Sequence, residues 1–382
     1  MSRLDYVEES TTLRLADRTN ELRKQGRDIL SFNLGEPDFD TPQNILEAAK
    51  KALDSGKTHY APSAGISDLR DAIATKLKND NGLDVTGKDI IVTPGAKHAI
   101  FEACLSILSK GDEAILMEPS WVSYDACIKM SDARTIWVKS NEDGSIPNDF
   151  EKHVTKKTKM AIINSPNNPS GAVLSKNDLR IVADLATDHD LYILSDEIYE
   201  KIIYDAKHHS IGAMIPDRTI TVNGFSKAYA MAGWRIGYVT APKTIFKSLL
   251  KVQQHTISSP TTFVQYGALA ALTGPQNSVE SMRKQFRIRR DVVLKGMKDI
   301  GLECPTPNGA FYAYPRVDGD SEKIVEGLLQ AGVGLTPGSA FGPNSNDHFR
   351  MSYASSMEHI IEGLARMKKY FNNSFTGRLI SE

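Results

Sequence analysis

From residue 89 to residue 239 the chain repeats one alternation, a run of four or five strand-forming residues followed by a stretch with helical spacing. The strand-like runs are Asp89-Ile-Ile-Val-Thr93, Glu113-Ala-Ile-Leu-Met117, Arg134-Thr-Ile-Trp-Val138, Lys159-Met-Ala-Ile-Ile163, Leu191-Tyr-Ile-Leu194, Thr219-Ile-Thr-Val222 and Arg235-Ile-Gly-Tyr-Val239. Several are apolar almost throughout, the pattern of strands covered on both faces. Between them lie helical stretches such as Lys176-Asn-Asp-Leu-Arg-Ile-Val-Ala-Asp-Leu-Ala186. The alternation predicts an α/β fold around a mostly parallel seven-stranded sheet with helices on both sides.

At 382 residues the chain is long enough for two domains. An amphipathic helix is predicted over Thr12 to Lys24, and one long helix over Ser278 to Ile300. The long helix has a basic face of Arg283, Lys284, Arg287, Arg289 and Arg290, read as solvated because Glu280 and Asp291 dilute its charge. Gly309 to Phe371 suggests a smaller α+β domain, with the N-terminal segment beside it. The expected division is 1–44, 45–276 and 277–382. The tail 372–382 is expected to fray.

A formal net charge of −1 gives no field that would draw nucleic acid or a membrane surface. No apolar run approaches membrane-spanning length, and the N-terminus lacks a signal-type apolar region, so a cytoplasmic protein is expected. Cys104, Cys127 and Cys304 are too few and too scattered for a disulfide framework or a zinc site. Cys104 lies in an apolar helical stripe and reads as a small buried hydrophobe. The histidines include no pair four residues apart, so no metal site is expected.

The chemistry concentrates in Asn223-Gly-Phe-Ser-Lys227-Ala-Tyr-Ala-Met-Ala-Gly-Trp-Arg235-Ile-Gly237. A lone loop lysine is ordinarily a surface charge. Here Phe225, Met231 and Trp234 bracket Lys227 and suggest burial. Burial disfavours the charged amine and lowers its pKa, and a neutral amine attacks carbonyl carbon. The spacing Gly224-x-Ser226-Lys227 followed by Gly233-x-Arg235-x-Gly237 resembles the pyridoxal-phosphate lysine signature of class I/II aminotransferases. The resemblance implies the type I fold of pyridoxal-phosphate-dependent transferases. It also implies that Lys227 holds the cofactor covalently and that Arg235 pairs with its phosphate.

Further segments match that family in order, from about Ser10 to about Lys369. Asp196 ends a predicted strand, where ligands of open α/β sheets bind. An aspartate there can also be a helix N-cap, and Glu197 is a competing carboxylate, but motif and placement together favour the binding role for Asp196. The resemblance assigns Asp196 to the cofactor's ring nitrogen and Tyr199 to its phenolic oxygen. Asn168 lies in the turn Asn164-Ser-Pro-Asn-Asn-Pro-Ser-Gly171, a structural turn on its own terms. The resemblance gives it a bond to the ring oxygen and a place beside the substrate. Gly95, Ala96 and Lys97 open a helix whose free amides suit a phosphate, and the family binds phosphate there.

Trp121 would otherwise be packing and is implied to stack on the pyridine ring and touch substrate. Tyr60, otherwise loop packing, is implied to reach the phosphate of a neighbouring subunit, hence a homodimer with shared active sites. Arg350 lies on an alternating strand, where arginine usually faces solvent. The resemblance has it grip the substrate α-carboxylate through two parallel bonds. Gly35, in Asn33-Leu-Gly-Glu-Pro-Asp38, matches the substrate loop. One position departs from a frequent pattern: Gly224 stands where many relatives carry a phosphate-binding serine, a contact that Ser226 or water would replace.

The activity implied is ping-pong transfer of an amino group from an L-amino acid to a 2-oxo acid. Ser10-Thr-Thr-Leu13 resembles the opening motif of the bacterial and archaeal aspartate aminotransferase subgroup. Lys97 matches a position where members with acidic substrates contact the distal carboxylate. Aspartate with 2-oxoglutarate is therefore expected, with aromatic amino acids, alanine, prephenate or kynurenine as alternatives. A pyridoxal-phosphate C–S lyase shares the same cofactor parts. A cofactor-binding regulatory domain is disfavoured because no DNA-binding module fits before Ser10. A nucleotide-binding α/β domain lacks its Gly-rich loop.

Overall fold

The structure is a computed structural model that describes residues 3–378, with side chains from residue 4 to residue 373. The seven predicted runs form one sheet. Its strands are β1 (Ile90–Thr93), β2 (Glu113–Glu118), β3 (Arg134–Lys139), β4 (Thr158–Asn164), β5 (Tyr192–Asp196), β6 (Thr219–Gly224) and β7 (Gly237–Thr240). Their spatial order is β1-β7-β6-β5-β4-β2-β3. Every pairing is parallel except the two made by β7, which runs against both β1 and β6.

Successive side chains of a strand point to opposite faces, and here both faces are dry. On β2, Leu116 packs with helices Ala96–Ile107, Val122–Met130 and Lys243–Thr256, while Ile115 packs on the other side with helix Lys176–Asp188. Leu194 and Ile193 of β5 divide the same way. This explains why these strands are apolar without alternation. Cys104 is fully buried in the first of these cores. Helix Lys176–Asp188 starts where the sequence signals it: Ser175 and Asp178 cap one another's backbone amides.

The predicted seventh run began at Arg235, but β7 begins at Gly237. Arg235 sits before it in a left-handed conformation (φ 53°), just after a single turn, Ala232–Trp234. The cause is topological, since β7 must return antiparallel beside β6 and the chain reverses there. Gly224 and Gly237 face each other across that pair. A Cβ at Gly224 would lie 3.0 Å from the Gly237 Cα and 3.2 Å from the Ile236 carbonyl oxygen. Close backbone packing therefore favours glycine at this position.

The C-terminal region builds a second sheet, in which Phe349–Ser352 lies between Thr336–Pro337 and Tyr312–Ala313, antiparallel to both. Leu30–Ser31 pairs in parallel with Val333–Gly334, tying the N-terminal segment to this region. Phe32, Phe286, Phe311, Phe349, Ile360 and Met367 form its core, together with Ile198 and Tyr199 from the segment after β5. The helix Met357–Arg378 continues through the stretch expected to fray, as far as Arg378, and residues 379–382 lie outside the described residues. Among the described residues no helix is long and apolar enough to cross a membrane.

The basic face of the long helix, Asn277–Ile300, is not uniformly solvated. Lys284 and Arg287 are exposed, but Arg289 and Arg290 are buried. Arg289 donates two parallel bonds to Asp38 (2.6 and 2.9 Å) and lies over the rings of Phe39 and Phe286. Arg290 pairs with Asp205 and Asp291 and lies over Tyr204. Asp38 closes the loop that carries Gly35. Asp38→Ala is therefore expected to cost up to about 3 kcal/mol, because it strands a buried guanidinium. A urea unfolding midpoint equal to that of the unmodified protein would refute this.

Candidate active site

The carboxyl ends of the parallel strands open on a cavity of about 560 Å³. Lys227 enters it three residues after β6, half-buried. Its Nζ donates to the Gly35 carbonyl (2.5 Å) and stands 5.8 Å from the Tyr199 ring centre. Burial lowers the amine to about 8; the Glu36 carboxylate works against this, while Arg350 adds to it. The neutral amine is thus still a minority near physiological pH, but far more abundant than for an exposed lysine.

Asp196, the last residue of β5, is buried beside the lysine. Its Oδ2 accepts from the Tyr124 hydroxyl (2.7 Å) and its Oδ1 from the Ile198 amide (3.1 Å). Burial pushes this carboxyl up to about 6, against the pull of Tyr124. The bond to Ile198 closes a turn, not a helix. Glu197, the competing carboxylate, does not line the cavity. It accepts instead from Ser195, Ser210, Asn81 and His208. Glu200 joins that group through Asn81 and Lys76. Glu197, Glu200 and His208 place metal-type ligand atoms within 4.8 Å of one another, a cluster that local histidine spacing did not foretell. Its carboxylates already hold these amide, hydroxyl and ammonium donors.

At the other end of the cavity, helix Ala96–Ile107 begins at Gly95 (φ +92°) with no side-chain cap. Arg235 lies against that terminus, and its guanidinium donates to the Ala232 and Pro94 carbonyls. A Cβ at Gly95 would lie 2.7 Å from Arg235 Nη2, and one at Gly237 would lie 2.6 Å from the Ala96 nitrogen. Two glycines thus let a guanidinium and a free helix terminus converge, with Ala96 and Ser226 on the cavity wall. Uncapped amides, the helix dipole and a fixed positive charge together suit a dianion.

Arg350, on Phe349–Ser352, is buried, contrary to the ordinary expectation for a strand arginine. It donates to Asn168 Oδ1 (2.9 Å) and to the Asn33 carbonyl (2.6 Å), and its Nε has no partner. The rings of Tyr312 and Phe341 flank it at 4.7 and 5.0 Å. Among the described residues this guanidinium has no carboxylate partner, and its place on the cavity wall suits it to receive one.

Trp121 lines the wall, edge-on to Tyr124, and the Lys97 ammonium lies 4.9 Å from its ring. Lys97 is otherwise exposed. Tyr199 is buried, with its hydroxyl 2.6 Å from that of Tyr312. Tyr60 is 88% exposed and is not part of this wall. Tyr124 and Tyr312 were missed by sequence reasoning. Tyr124 sits three residues beyond Trp121 on the same helical turn, a spacing that would have paired them. Nothing local to Gly309-Ala-Phe-Tyr312 signals a site.

The donor set fits pyridoxal phosphate: an anion cradle at Gly95 and Arg235, a buried carboxylate at Asp196, and a poised amine at Lys227. The family model for aminotransferase class I and II matches residues 27–367. An aspartate/prephenate aminotransferase of Thermus thermophilus is 42% identical over 376 residues, covering 96% of this chain and 97% of its own. A probable aspartate aminotransferase of Methanocaldococcus jannaschii is 44% identical, covering 90% and 94%. Among solved structures, the Thermus thermophilus aspartate aminotransferase with maleate matches at a TM-score of 0.94 and 41% identity, over 97% of this chain and 99% of that one. Fold, site and relatives agree that the chain belongs to the class I and II aminotransferases, with pyridoxal phosphate as its cofactor.

Proposed function

We propose that the chain moves the amino group of aspartate to a 2-oxo acid, with 2-oxoglutarate as the acceptor. The observation that carries the reading is one half-buried amine, Lys227, sharing a cavity with a buried carboxylate and two guanidinium groups. The names of the relatives above support the choice of aspartate.

When bound, pyridoxal phosphate supplies an electron sink for the charge left as the amino acid loses its α-proton. The residues do the rest. Arg235, Ser226 and the amides at Ala96 and Lys97 would hold the phosphate, whereas the Gly95 amide, expected to join them, already donates to the Thr93 carbonyl (2.7 Å). Asp196, steadied by Tyr124, keeps the ring nitrogen protonated. Trp121 covers the ring face. Tyr199 and Asn168 donate to the ring oxygen. Arg350 grips the substrate α-carboxylate, with Asn168 and the Gly35 loop fixing its orientation. Lys227 Nζ would take the proton from the substrate α-carbon, as a neutral amine with a pKa near the working pH can, and hold it for return. Tyr60, exposed on its own chain, serves the phosphate of a second copy in a homodimer.

Lys97 is assigned the distal carboxylate of aspartate. Lys97→Ala is expected to raise the KM for aspartate about tenfold and to leave that for alanine within about twofold, the loss of roughly one charge-assisted bond. Equal changes would remove that role. The function itself is tested by a panel of amino donors added to the holoenzyme, each ranked by its loss of visible absorption. Borohydride treatment and peptide mapping should label Lys227, and an unlabelled Lys227 would overturn the reading.

A further inference from the structure

Tyr312 touches more of the site than its short strand suggests. It is fully buried. Its hydroxyl is 2.6 Å from that of Tyr199, and its ring lies 4.7 Å from the Arg350 guanidinium. A Cβ at Gly35 would fall against the Tyr312 hydroxyl, so the backbone that accepts from Lys227 also packs there. Tyr312 belongs to the C-terminal sheet, whereas Tyr199 follows β5 of the large one. The bond between them joins the substrate grip to the cofactor floor.

We propose that Tyr312 is a positioning residue that donates its phenolic proton to Tyr199 and thereby strengthens the bond Tyr199 makes to the cofactor ring oxygen. This rests on the assignment of Tyr199 above. A tyrosine hydroxyl has one proton. If Tyr199 commits that proton to the ring oxygen, the short contact with Tyr312 can be a hydrogen bond only with Tyr312 as donor. A hydroxyl that accepts while it donates is the stronger donor, because each bond polarises the next. Burial raises both tyrosines and the Arg350 charge pulls both back down, so the commitment of the Tyr199 proton to the ring oxygen is what sets the direction. The Tyr312 ring has a separate task, supporting from 4.7 Å the guanidinium that receives the carboxylate.

The chain Tyr312–Tyr199–ring oxygen predicts a spectral effect that mere packing does not. Tyr199 stabilises the ring oxygen as an anion. Weakening that bond tightens the hold of the oxygen on the proton it shares with the Lys227 nitrogen. A higher pH is then needed to remove the proton.

The test is a pH titration of the visible absorption band of the holoenzyme in Tyr199→Phe, Tyr312→Phe and the double variant. Tyr199→Phe should raise the midpoint. Tyr312→Phe should raise it in the same direction by roughly 0.3 to 0.5 unit. The double variant should go no further than Tyr199→Phe alone. Tyr312→Phe keeps the ring, so it should lower kcat with the donor KM within about twofold, whereas Tyr312→Leu should raise KM severalfold as well. A Tyr312→Phe midpoint equal to that of the unmodified protein, or shifts that add in the double variant, overturns the relay. An unchanged KM in Tyr312→Leu overturns the support of Arg350. A Tyr199→Phe midpoint that does not move overturns the Tyr199 assignment and the relay together, while borohydride labelling of Lys227 would leave the wider reading standing.

Discussion

Lys227→Ala binds pyridoxal phosphate but turns over at least roughly 10⁴ times more slowly, the expected result of removing both the covalent anchor and the proton carrier. Arg235 and the uncapped helix terminus remain, so cofactor retention should persist, measured by equilibrium dialysis. Single-turnover loss of substrate α-deuterium reports the chemical step directly. Activity within tenfold of the unmodified protein would show that another group moves the proton. The lowered amine adds a pH signature. Only the neutral form attacks, so attachment of added pyridoxal phosphate to the apoenzyme should quicken as pH rises through about 8 and level off above it.

Asp196→Asn should lose roughly 10²–10³ in kcat, the usual cost of removing one preorganised charge from developing charge in a dry site. The substitution is nearly isosteric: the amide oxygen can accept from the Ile198 amide while the amide nitrogen donates to the Tyr124 hydroxyl, so folding is preserved. What disappears is the negative charge that favours a protonated ring nitrogen. Tyr124→Phe should do far less, because it removes one of two bonds that orient the carboxylate. If Asp196→Asn and Tyr124→Phe lose equal activity, orientation and not charge is what Asp196 supplies.

The sheet was legible because covered strands leave uninterrupted apolar runs. Lys227, Asp196, Asn168 and Trp121 were legible because each follows such a run closely. Arg235 was misplaced onto a strand because its sequence is strand-like, whereas a chain reversal beside β6 decides its backbone. The fates of Arg289, Arg290 and Arg350 were hidden for a different reason. Each is buried by partners far off in the sequence, Asp38 with Phe39, Asp205 with Tyr204, and Asn33 with Tyr312. Local composition reports only that an arginine is charged. Tyr312 was invisible because its role depends on two sheets meeting.

The pairing of Leu30–Ser31 with Val333–Gly334 bears on how the molecule comes into being. The loop that accepts from Lys227 and from Arg350 starts one turn of chain past that pairing, at Asn33 and Gly35. During synthesis, Leu30 and Ser31 therefore wait for Val333 and Gly334 to emerge before this pair can form. The Arg350 grip on the Asn33 carbonyl is thus completed only after the cofactor-holding residues, all of them earlier than β7, have emerged.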